Sequence, residues 1–497
     1  MAVTEVILLV IHFSVLLVLS LYGLHRYQLA FLCIKHRNDD PIVASPQKSL
    51  PMVTVQLPIF NEKFVIQRLI DRVCSLDYPR ELLEIQVLDD STDETCRLAR
   101  QAVDEWRNQG IDIVYIHRVD RRGFKAGALE AGVAIAKGEF IAVFDADFLP
   151  DQDFLRQTIP HFSSKNIGMV QARWGHINRD ESLITRAQAI LLDGHFLVEH
   201  LARHRSGRFF NFNGTAGIWR RACICDAGGW HHETLTEDLD LSYRAQLKGW
   251  EFVYLRDVLA PAELPVDLNA FKTQQHRWAK GSIQVAMKLL PTILRSRITL
   301  KQKIEAFVHL TNNFAYVLML VMSILTPIAI QIRIEHGWHH AFLIDLPVFA
   351  GATLSICSFY LLSQKEAGTG WLKRALDIPM TLAIGIGLAV NNTRAVLEAC
   401  FRYKTGFVRT PKVAKNKTAV GNPTYRGKLE FTTFFELTFA AIYIYSSIYC
   451  IQHSVWLALP FMLLFAAGFS CLGLTCLIHG FALSRKARRP ITSQNTA

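Results

Sequence analysis

Pairs of acidic residues, adjacent or one residue apart, occur at three separated places in this 497-residue chain and could act on a charged substrate. They are Asp89-Asp90, Asp145-Ala146-Asp147 and Thr236-Glu237-Asp238. Two carboxylates two residues apart can hold Mg²⁺ or Mn²⁺ through oxygen while the ion keeps sites for phosphate oxygens. The structural alternative for the Asp145 motif is a pair of acids that caps a turn. The chain also carries long apolar segments, so the combination predicts chemistry at a membrane on a charged, metal-bound substrate.

The segment 274–278 is the most specific motif of the chain, because Trp is a scarce residue. On a helix, Gln274, Arg277 and Trp278 share one face. That face joins a hydrogen-bonding amide, a guanidinium suited to a diphosphate and an indole that can stack on a sugar ring. As structure alone, the motif indicates an interfacial helix with an aromatic anchor, since amphipathic sequence continues through residue 290.

Two glycine-containing segments could approach a ligand closely. Residues 123–129 contain Lys125, lack P-loop spacing, and could meet a diphosphate or ribose through backbone N–H groups at a helix start. Residues 211–217 supply amides suited to sugar hydroxyls. A plain helix start and a tight turn are the alternatives. The histidines at 200, 204, 231 and 232 lack a metal-binding H-E-x-x-H pattern and are expected to be solvated or on helix surfaces.

Alternating strand and helix patterns predict an α/β unit between the membrane segments. Apolar, β-branched runs at 52–57, 85–88, 113–116 and 140–144 predict strands, and amphipathic stretches at 62–75 and 93–108 predict helices between them. Such alternation predicts parallel strands with crossover helices. Ligands bind beyond the carboxyl ends of such strands, so the sheet should bring Asp89-Asp90 and Asp145-Ala146-Asp147 to one rim.

Five apolar runs are long enough to cross a bilayer as helices, at 6–24, 306–330, 341–362, 431–451 and 455–483. The first is too long for the core of a signal peptide. A sixth run, 378–390, is shorter, is broken by Gly385 and Gly387, and has basic residues on both sides, which predicts an interfacial or re-entrant helix. With an external N-terminus, the distribution of Lys and Arg places residues 36–303 and the basic tail in the cytoplasm.

The overall composition excludes some classes of protein. The net charge is +11 and 51% of residues are hydrophobic. Because the basic residues follow the predicted membrane topology, nucleic-acid binding is not predicted. The ten cysteines form no paired C-x-x-C pattern, which indicates small buried residues in a reducing compartment and neither a disulfide framework nor a zinc site.

These motifs together resemble the processive family-2 membrane glycosyltransferases of the cellulose synthase superfamily. The chain is most similar to the plant-type cellulose-synthase-like mannan and glucan synthases. The resemblance is close over residues 51–281 and extends to the membrane region by layout. The matching segments are 86–93, 115–128, 144–148, 170–174, 212–219, 236–238 and 274–278.

The resemblance implies a cytoplasmic α/β nucleotide-diphospho-sugar transferase (GT-A) domain and a role for each site residue. The metal ligands for Mg²⁺ or Mn²⁺ would be Asp145 and Asp147. The catalytic set would be Asp238 as general base, Glu237 and Arg277. The nucleotide and donor would meet Asp89, Asp90, Lys125, Asp145, Gln274 and Arg277. The acceptor side would be Trp278, Phe212, Asn213 and Gly214. Residues 407–412 loosely resemble a gating loop over the bound nucleotide, although Pro411 departs from that pattern.

The expected organisation is an α/β domain joined to an all-α transmembrane region of about five helices plus interfacial helices. The expected segments are a transmembrane helix (1–30), the GT-A domain (48–265), interfacial amphipathic helices (266–303), two transmembrane helices (304–363), an interfacial or re-entrant helix (364–402), a cytoplasmic gating-like loop (403–430), two transmembrane helices (431–484) and a basic cytoplasmic tail (485–497).

The resemblance implies an inverting enzyme of a plasma or Golgi-type membrane that uses GDP-mannose or UDP-glucose. It would polymerise a β-linked mannan, glucomannan or glucan, with β-1,4 as the expected linkage, and pass the growing glycan chain across the lipid bilayer, with no nucleic-acid partner. Oligomerisation and accessory subunits stay open. One alternative is single sugar transfer to a ceramide or polyprenyl lipid, which shares the acidic and Q-x-x-R-W motifs. The remote alternative is an inactive membrane scaffold, which would be expected to lack some of the acids.

Overall fold

The computed structural model describes residues 1–39, 41, 49–338, 342–403 and 431–487. For residues 342–347, 349–350 and 479–487 it describes the backbone helix and not the side chains. The predicted gating-like loop, beyond residue 403, and most of the predicted basic tail therefore lie outside the described residues.

A seven-stranded mixed sheet forms the centre of the α/β domain, in the order β3-β2-β1-β4-β6-β5-β7. The strands are β1 (Val53–Ile59), β2 (Leu83–Asp89), β3 (Ile113–His117), β4 (Phe140–Val143), β5 (Ile167–His176), β6 (Gly217–Arg220) and β7 (Glu251–Ala262). The first four are mutually parallel, as the sequence predicts. Strand β6 is antiparallel to both of its neighbours, β4 and β5. Continuous burial along β1 and β2 shows that both faces of the sheet are covered.

The helices cover the sheet and then form the C-terminal half of the chain. They are α1 (Val3–Lys35), α2 (Ile66–Cys74), α3 (Thr95–Asn108), α4 (Phe124–Ile135), α5 (Phe154–Thr158), α6 (Leu183–Asp193), α7 (Leu201–Arg205), α8 (Arg221–Asp226), α9 (Glu237–Leu247), α10 (Leu268–Arg295), α11 (Leu300–Thr311), α12 (Phe314–Glu335), α13 (Phe342–Glu366), α14 (Trp371–Ala375), α15 (Ile378–Gly387), α16 (Ala389–Cys400), α17 (Phe431–Gln452) and α18 (Leu459–Ala487). A π-helical segment, Gly194–His200, joins α6 to α7.

The crossover helices follow from their apolar spacing. In α2, Ile66, Leu69, Ile70 and Val73 recur at helical spacing and are fully or almost fully buried. Helix α4 approaches the sheet closely at Gly132, where a Cβ atom would lie 2.4 Å from Nε2 of Gln56 in β1. The carboxyl ends of β1, β2 and β4 lie along one rim, because those strands run parallel.

Four described helices are long and apolar enough to cross a membrane: α1, α12, α17 and the Leu459–Ile478 part of α18. The pair 371–387 and 389–400, bent by 44°, would make a fifth if it is one broken span. The predicted span 341–362 falls on α13, which packs against α1. Whether residues 378–390 cross or re-enter the membrane stays a prediction. The expected architecture, an α/β domain joined to about five apolar helices, is confirmed.

Helix α10 connects the α/β domain to the apolar helices. It packs against α9 on one side and against α16 and α18 on the other. The buried Lys272 of α10 places its Nζ atom 2.7 Å from Oε1 of Glu436 on α17. Two residues after the motif's end, the Lys280 Nζ atom lies 3.0 Å from the Glu398 carboxylate of α16. The segment predicted as interfacial, 266–303, therefore begins with a helix that is tied to the membrane bundle by two ion pairs.

Candidate active site

A cavity of about 920 Å³ opens at the carboxyl rim of the parallel strands, between the sheet, the N-terminus of α9 and helix α10. Most of the predicted site residues line this one cavity although they are distant in sequence. They are Asp90, Lys125, Asp145, Asp147, Asn213, Gly214, Glu237, Asp238, Gln274, Arg277 and Trp278. The structure therefore brings these predicted residues together at the rim, and α10 forms one wall of the cavity.

Two residues assigned to ligand binding, Asp89 and Phe212, do not line the cavity. The Asp89 carboxylate is fully buried and accepts hydrogen bonds from the Ser91 amide at 2.9 Å and the Tyr115 hydroxyl at 2.6 Å. Phe212 is also fully buried and packs edge-to-face on Trp219. Successive side chains of an extended segment point to opposite sides, so each turns inward where its neighbour faces the cavity. Both side chains therefore lie behind the cavity wall, and their roles as direct ligand contacts stay predictions.

The Asp89 carboxylate belongs to a small polar cluster behind the cavity. Its oxygens, the Cys96 sulfur and a His117 ring nitrogen lie within 4.8 Å of one another, a spacing that could hold an ion. Both carboxylate oxygens already accept hydrogen bonds, however, and the Cys96 thiol donates to the Ser91 carbonyl at 3.0 Å. These bonds satisfy the cluster as it stands, so it supports the loop that carries the cavity residues.

Asp90 is held by an arginine that was not among the predicted site residues. Arg118 donates from Nε at 2.8 Å and from a terminal nitrogen at 2.6 Å to the two Asp90 oxygens, a bidentate pair. The Arg121 guanidinium lies 3.3 Å from the centre of the Phe60 ring, and burial lowers its pKa. Planar groups thus line the outer end of the cavity. The Arg-Val-Asp-Arg-Arg run at 118–122 was the available sequence signal.

Lys125 links the start of α4 to two other cavity segments. Its ammonium lies 2.6 Å from an Asp145 oxygen and donates to the Gly214 carbonyl at 2.9 Å. Gly123 caps α4 with φ 76°, a left-handed conformation that glycine adopts without strain. Burial lowers the pKa of Lys125, but the Asp145 and Glu237 carboxylates outweigh it, and the net pKa is raised. Lys125 is therefore a fixed positive charge inside the site.

Asp145 and Asp147 have the donor set of a divalent-cation site. Both carboxylates face the cavity, and the Asp145 backbone N–H donates to Thr215 Oγ1 at 2.9 Å, which fixes the turn that presents them. The Asp145 side chain is 34% exposed, so its oxygens are accessible to a ligand. Oxygen donors two residues apart on an accessible rim suit Mg²⁺ or Mn²⁺, so these residues fit such an ion.

Asp238 stands in the first turn of α9, where its Oδ1 accepts the Leu239 N–H at 2.8 Å. Burial, followed by the like charge of Glu237, raises its pKa to about 7, against the opposing effects of Lys125 and Arg277. An acid whose pKa lies near neutrality is suited to accept a proton from a hydroxyl. Its charged form also lies beside cationic groups that hold it in place.

Gly214 lets the backbone of the loop 211–216 meet Asp238. Its φ is 80°, and a Cβ atom at this position would lie 3.0 Å from Asp238 Oδ2. Any larger residue would crowd the carboxylate and adopt a strained backbone. The loop therefore brings its neighbour Asn213 to the same part of the cavity as the acid.

Helix α10 places Gln274, Arg277 and Trp278 on the cavity wall, as their spacing predicts. Further along the same helix, Gly281 contacts the segment just before Asp238: a Cβ there would lie 2.5 Å from Thr236 Cγ2. The Gln284 side chain accepts the Leu235 N–H at 2.9 Å. One helix thus carries the motif and also supports the acidic segment opposite it.

Strand β5 adds two cavity residues that the sequence interpretation gave no role. Trp174 and His176 both line the cavity. The His176 ring lies 3.0 Å from Asp193, which in turn accepts from Gln364 of α13 at 3.2 Å. Burial raises the pKa of Asp193, but His176 and the other neighbours outweigh it, so the net pKa is lowered. No spacing pattern marks the set of His176, Asp193 and Gln364, because its three members come from three separate elements.

With this geometry established, comparison with known proteins decides the family of the α/β domain. Residues 51–281 match the family model described as Glycosyltransferase like family 2. This segment is a family 2 glycosyltransferase domain. The match ends at Gly281, so the glycosyltransferase domain includes the first half of α10 and every cavity residue named above. The resemblance drawn from the motifs is thereby confirmed for this domain.

One curated relative and one solved structure extend the comparison. The chain is 43% identical over 302 residues to glucomannan 4-beta-mannosyltransferase 1 of Oryza sativa subsp. japonica, a match that covers 60% of this chain and 57% of the rice protein. The chain thus spans a little over half the length of that relative. The mannosyltransferase PcManGT from Pyrobaculum calidifontis, solved in complex with GDP-Man and Mn²⁺, superposes with a TM-score of 0.50 at 20% identity. That superposition covers 80% of this chain and 99% of PcManGT. It shows a shared fold, in agreement with the expected GT-A-like architecture.

Proposed function

We propose that this chain is a membrane-embedded, inverting glycosyltransferase that builds a β-linked, β-1,4 mannan, glucomannan or glucan from a nucleotide sugar. The observation that carries the proposal is the meeting of Asp238, the Asp145-Ala146-Asp147 motif and the Gln274–Trp278 face in one cavity. The family 2 glycosyltransferase domain supplies the chemical class.

The proposed reaction is a single displacement at the anomeric carbon of the donor sugar. Asp238 removes the proton of the acceptor hydroxyl while that oxygen forms the new glycosidic bond and the bond to the diphosphate breaks. Arg277 and Lys125 lie where they can stabilise the negative charge that develops on the diphosphate. Attack from the side opposite the leaving group inverts the configuration, so an α-linked donor gives a β-linked product.

Asp145 and Asp147 would hold Mg²⁺ or Mn²⁺, which when bound supplies positive charge to the diphosphate. Lys125 keeps Asp145 in place at 2.6 Å, so that carboxylate is oriented before the donor arrives. Asp90, fixed by Arg118, lies at the outer end of the cavity, where it would meet the nucleotide. On the opposite side, Trp278 would form the floor for the acceptor sugar by stacking.

GDP-mannose is the donor that the comparison favours, with UDP-glucose as the second. The rice relative is named for transfer of mannose in glucomannan, and it shares 43% of its aligned residues with this chain. Both donors present the same diphosphate to the same cavity groups. The choice between guanine and uracil therefore depends on the outer end of the cavity, around Asp90 and Arg121.

The proposed enzyme also extends its glycan product and passes it across the membrane. Helix α10 forms the cavity wall and also packs against α16 and α18, so a product leaving past Trp278 would move toward the apolar helices. The catalytic domain would lie in the cytoplasm, where Lys and Arg are enriched in the loops, and the bundle would sit in a plasma or Golgi-type membrane. The growing glycan and the lipid bilayer are the proposed partners.

The deciding experiment supplies the purified, membrane-embedded protein with radiolabelled GDP-mannose or UDP-glucose and Mn²⁺. The product is then sized and digested with linkage-specific hydrolases. Long material cut by a mannanase or a cellulase is expected and would also name the donor. Short, lipid-extractable label would move the assignment to glycolipid synthesis, and absence of transfer with either donor would favour an inactive scaffold.

A further inference from the structure

The π-helical segment Gly194–His200 holds a buried histidine, His200, and a partly buried one, His195, against one cavity residue. Asn213 Nδ2 lies 2.8 Å from His195 Nε2, and Asn213 Oδ1 lies 2.6 Å from His200 Nε2. The two imidazole rings are five residues apart in sequence and only 4.2 Å apart between centroids. A π-helix brings residues five apart onto one side, whereas an α-helix would turn them away from each other. We call this pair the histidine clamp.

The hydrogen-bond partners determine where the protons of the clamp lie. His200 Nε2 faces two acceptors, Asn213 Oδ1 and the Asn211 carbonyl at 3.0 Å, so it carries the hydrogen. Its other ring nitrogen is buried and makes no hydrogen bond in the described part of the chain. The amide nitrogen of Asn213 then donates to His195 Nε2. His195 must therefore be protonated at Nδ1, which donates to Glu199 at 3.0 Å.

Both rings are neutral for the same physical reason. Burial lowers the pKa of His200 to about 3 and holds the pKa of His195 well below its ordinary value. The clamp therefore needs no change of charge near neutral pH. It also corrects the sequence-based expectation that His200 would be solvated or on a helix surface, since this side chain is fully buried.

The clamp is anchored by a buried network of ion pairs that reaches the first apolar helix. Glu199 pairs with Arg26 of α1 and with Arg203 at 3.2 Å. Arg203 also donates to Glu305 of α11 at 2.8 Å. Buried pairs of this kind specify geometry, because each charge must keep its partner. The orientation of a cavity amide is thus tied to α1 and α11.

We propose that His195 and His200 are positioning residues that fix the side-chain amide of Asn213. In this orientation the second N–H of Nδ2 and the Oδ1 atom face the acceptor sugar. This inference rests on the proposed function. Asn213 precedes Gly214, which touches Asp238, so the fixed amide lies on the side of the cavity where the acceptor hydroxyl is activated. A pre-oriented amide can bind a sugar hydroxyl without paying the entropy of ordering.

The test compares two replacements of His200 with a matched control on the same stretch. His200→Phe keeps an aromatic ring but removes the N–H donor, so Asn213 Oδ1 and the Asn211 carbonyl lose their hydrogen bond. It should lower kcat/KM for an oligosaccharide acceptor by about 5- to 150-fold. His200→Gln keeps an N–H donor and should stay within about threefold of the parent protein. His204→Phe, one turn later, contacts Phe210 and not Asn213, and should leave acceptor kinetics unchanged.

Binding of the nucleotide is the readout that separates positioning from a general structural role. The nucleotide affinity of all three variants should match that of the parent protein, because Asn213 is the cavity residue to which the clamp hydrogen-bonds, and it has no proposed role in nucleotide binding. Equal acceptor kinetics in His200→Phe and the parent protein would overturn the proposal. So would a parallel loss of nucleotide binding and acceptor use in both His200 variants.

A second measurement keeps the clamp testable if the proposed transferase activity itself fails. The cycle of His200→Phe, Asn213→Ala and the double variant is followed by thermal unfolding in detergent. The clamp predicts that the two shifts in Tm are not additive, because the variants remove the same contact. Additive shifts would show that the contact is absent in the protein and would end the proposal, whatever the enzyme's activity.

Discussion

At the scale of single residues, the cavity derives its chemistry from the environments of a few charged groups. Asp238 is an acid whose pKa is raised by burial and by Glu237, whereas Lys125 and Arg277 limit that rise. Raising the pKa toward neutrality makes the carboxylate a stronger base, but it also reduces the fraction that is deprotonated at low pH. The same residue should therefore set both the pH dependence of transfer and part of the pH dependence of stability.

Transfer should increase as pH rises through about 7, since only the deprotonated form of Asp238 can accept a proton. The measurement is kcat/KM against pH at fixed donor and Mn²⁺. Glu237→Gln removes the like charge and should move the midpoint of this profile to lower pH. Glu251→Gln, on the exposed edge of β7, is the control and should not move it. An unchanged midpoint in Glu237→Gln would contradict the assigned cause of the raised pKa.

Asp238→Asn should reduce transfer by at least about 100-fold while nucleotide binding persists, because the base is lost and the donor-side groups remain. It should also change stability in a pH-dependent way. Because the pKa is raised from 3.8 to about 7, the parent protein loses stability as pH rises between these two values, and a neutral amide escapes that loss. Thermal unfolding should give a Tm gain for the variant that is absent below about pH 4, grows between pH 4 and 7, and is constant above about pH 7. Retained turnover would remove Asp238 as the base.

At the scale of elements, helix α10 is the part that completes the site. It presents Gln274, Arg277 and Trp278 to the cavity, meets the acidic segment at Gly281, and is tied to α17 through Lys272. Its position relative to the rim of the sheet sets the distance between the acid and the motif. A displacement of about 1 Å at such a site can cost about 100-fold in rate.

Gly281→Ala tests whether this close contact matters. Alanine favours a helix by about 1 kcal/mol over glycine, so intrinsic propensity alone would stabilise the variant. Its Cβ atom would nevertheless lie 2.5 Å from Thr236 Cγ2, and something must move. We expect kcat to fall by about 10- to 100-fold, measured with saturating donor. Gly385→Ala in α15 is the matched control, since its Cβ meets nothing within 4 Å. Equal activity of the two variants would contradict the close fit.

At the scale of the whole molecule, the glycosyltransferase domain and the apolar helices form one packed body through buried polar pairs and close helix contacts. Helices α15 and α18 touch through glycines: a Cβ on Gly387 would lie 2.6 Å from the Gly468 carbonyl. Small residues allow such contacts where no hydrophobic effect drives association in lipid. The pair Lys272 and Glu436 joins α10 to α17 at the same level of the fold.

Lys272→Met should destabilise the protein by about 3 to 5 kcal/mol, because it removes the cation from a fully buried carboxylate, Glu436. Adding Glu436→Leu should restore most of that loss, since the buried charge is then absent. Chemical unfolding in detergent measures both changes. The control is Arg394→Met, which breaks an exposed pair with Glu398 and should cost about 1 kcal/mol or less. A double variant no more stable than Lys272→Met would contradict this account.

The sequence by itself determined the first four strands, the long apolar helices and the rim of the site. Apolar β-branched runs specified the first four strands, and their parallel order required Asp90, Asp145 and Asp147 to meet, because parallel strands end on one edge. Helical spacing specified the shared face of Gln274, Arg277 and Trp278. The long apolar runs specified the helices that are long and apolar enough to cross a membrane. All of these follow from periodicity, which a sequence displays directly.

Only the tertiary structure decided which distant groups meet and how each is charged. Asp89 turned inward to Tyr115, Arg118 paired with Asp90, and the histidines of a π-helix closed on Asn213. None of these contacts has a spacing pattern, because each joins segments whose separation in sequence is unrelated to their separation in space. The raised pKa of Asp238 has the same origin, since burial and neighbouring charges exist only once the chain has packed.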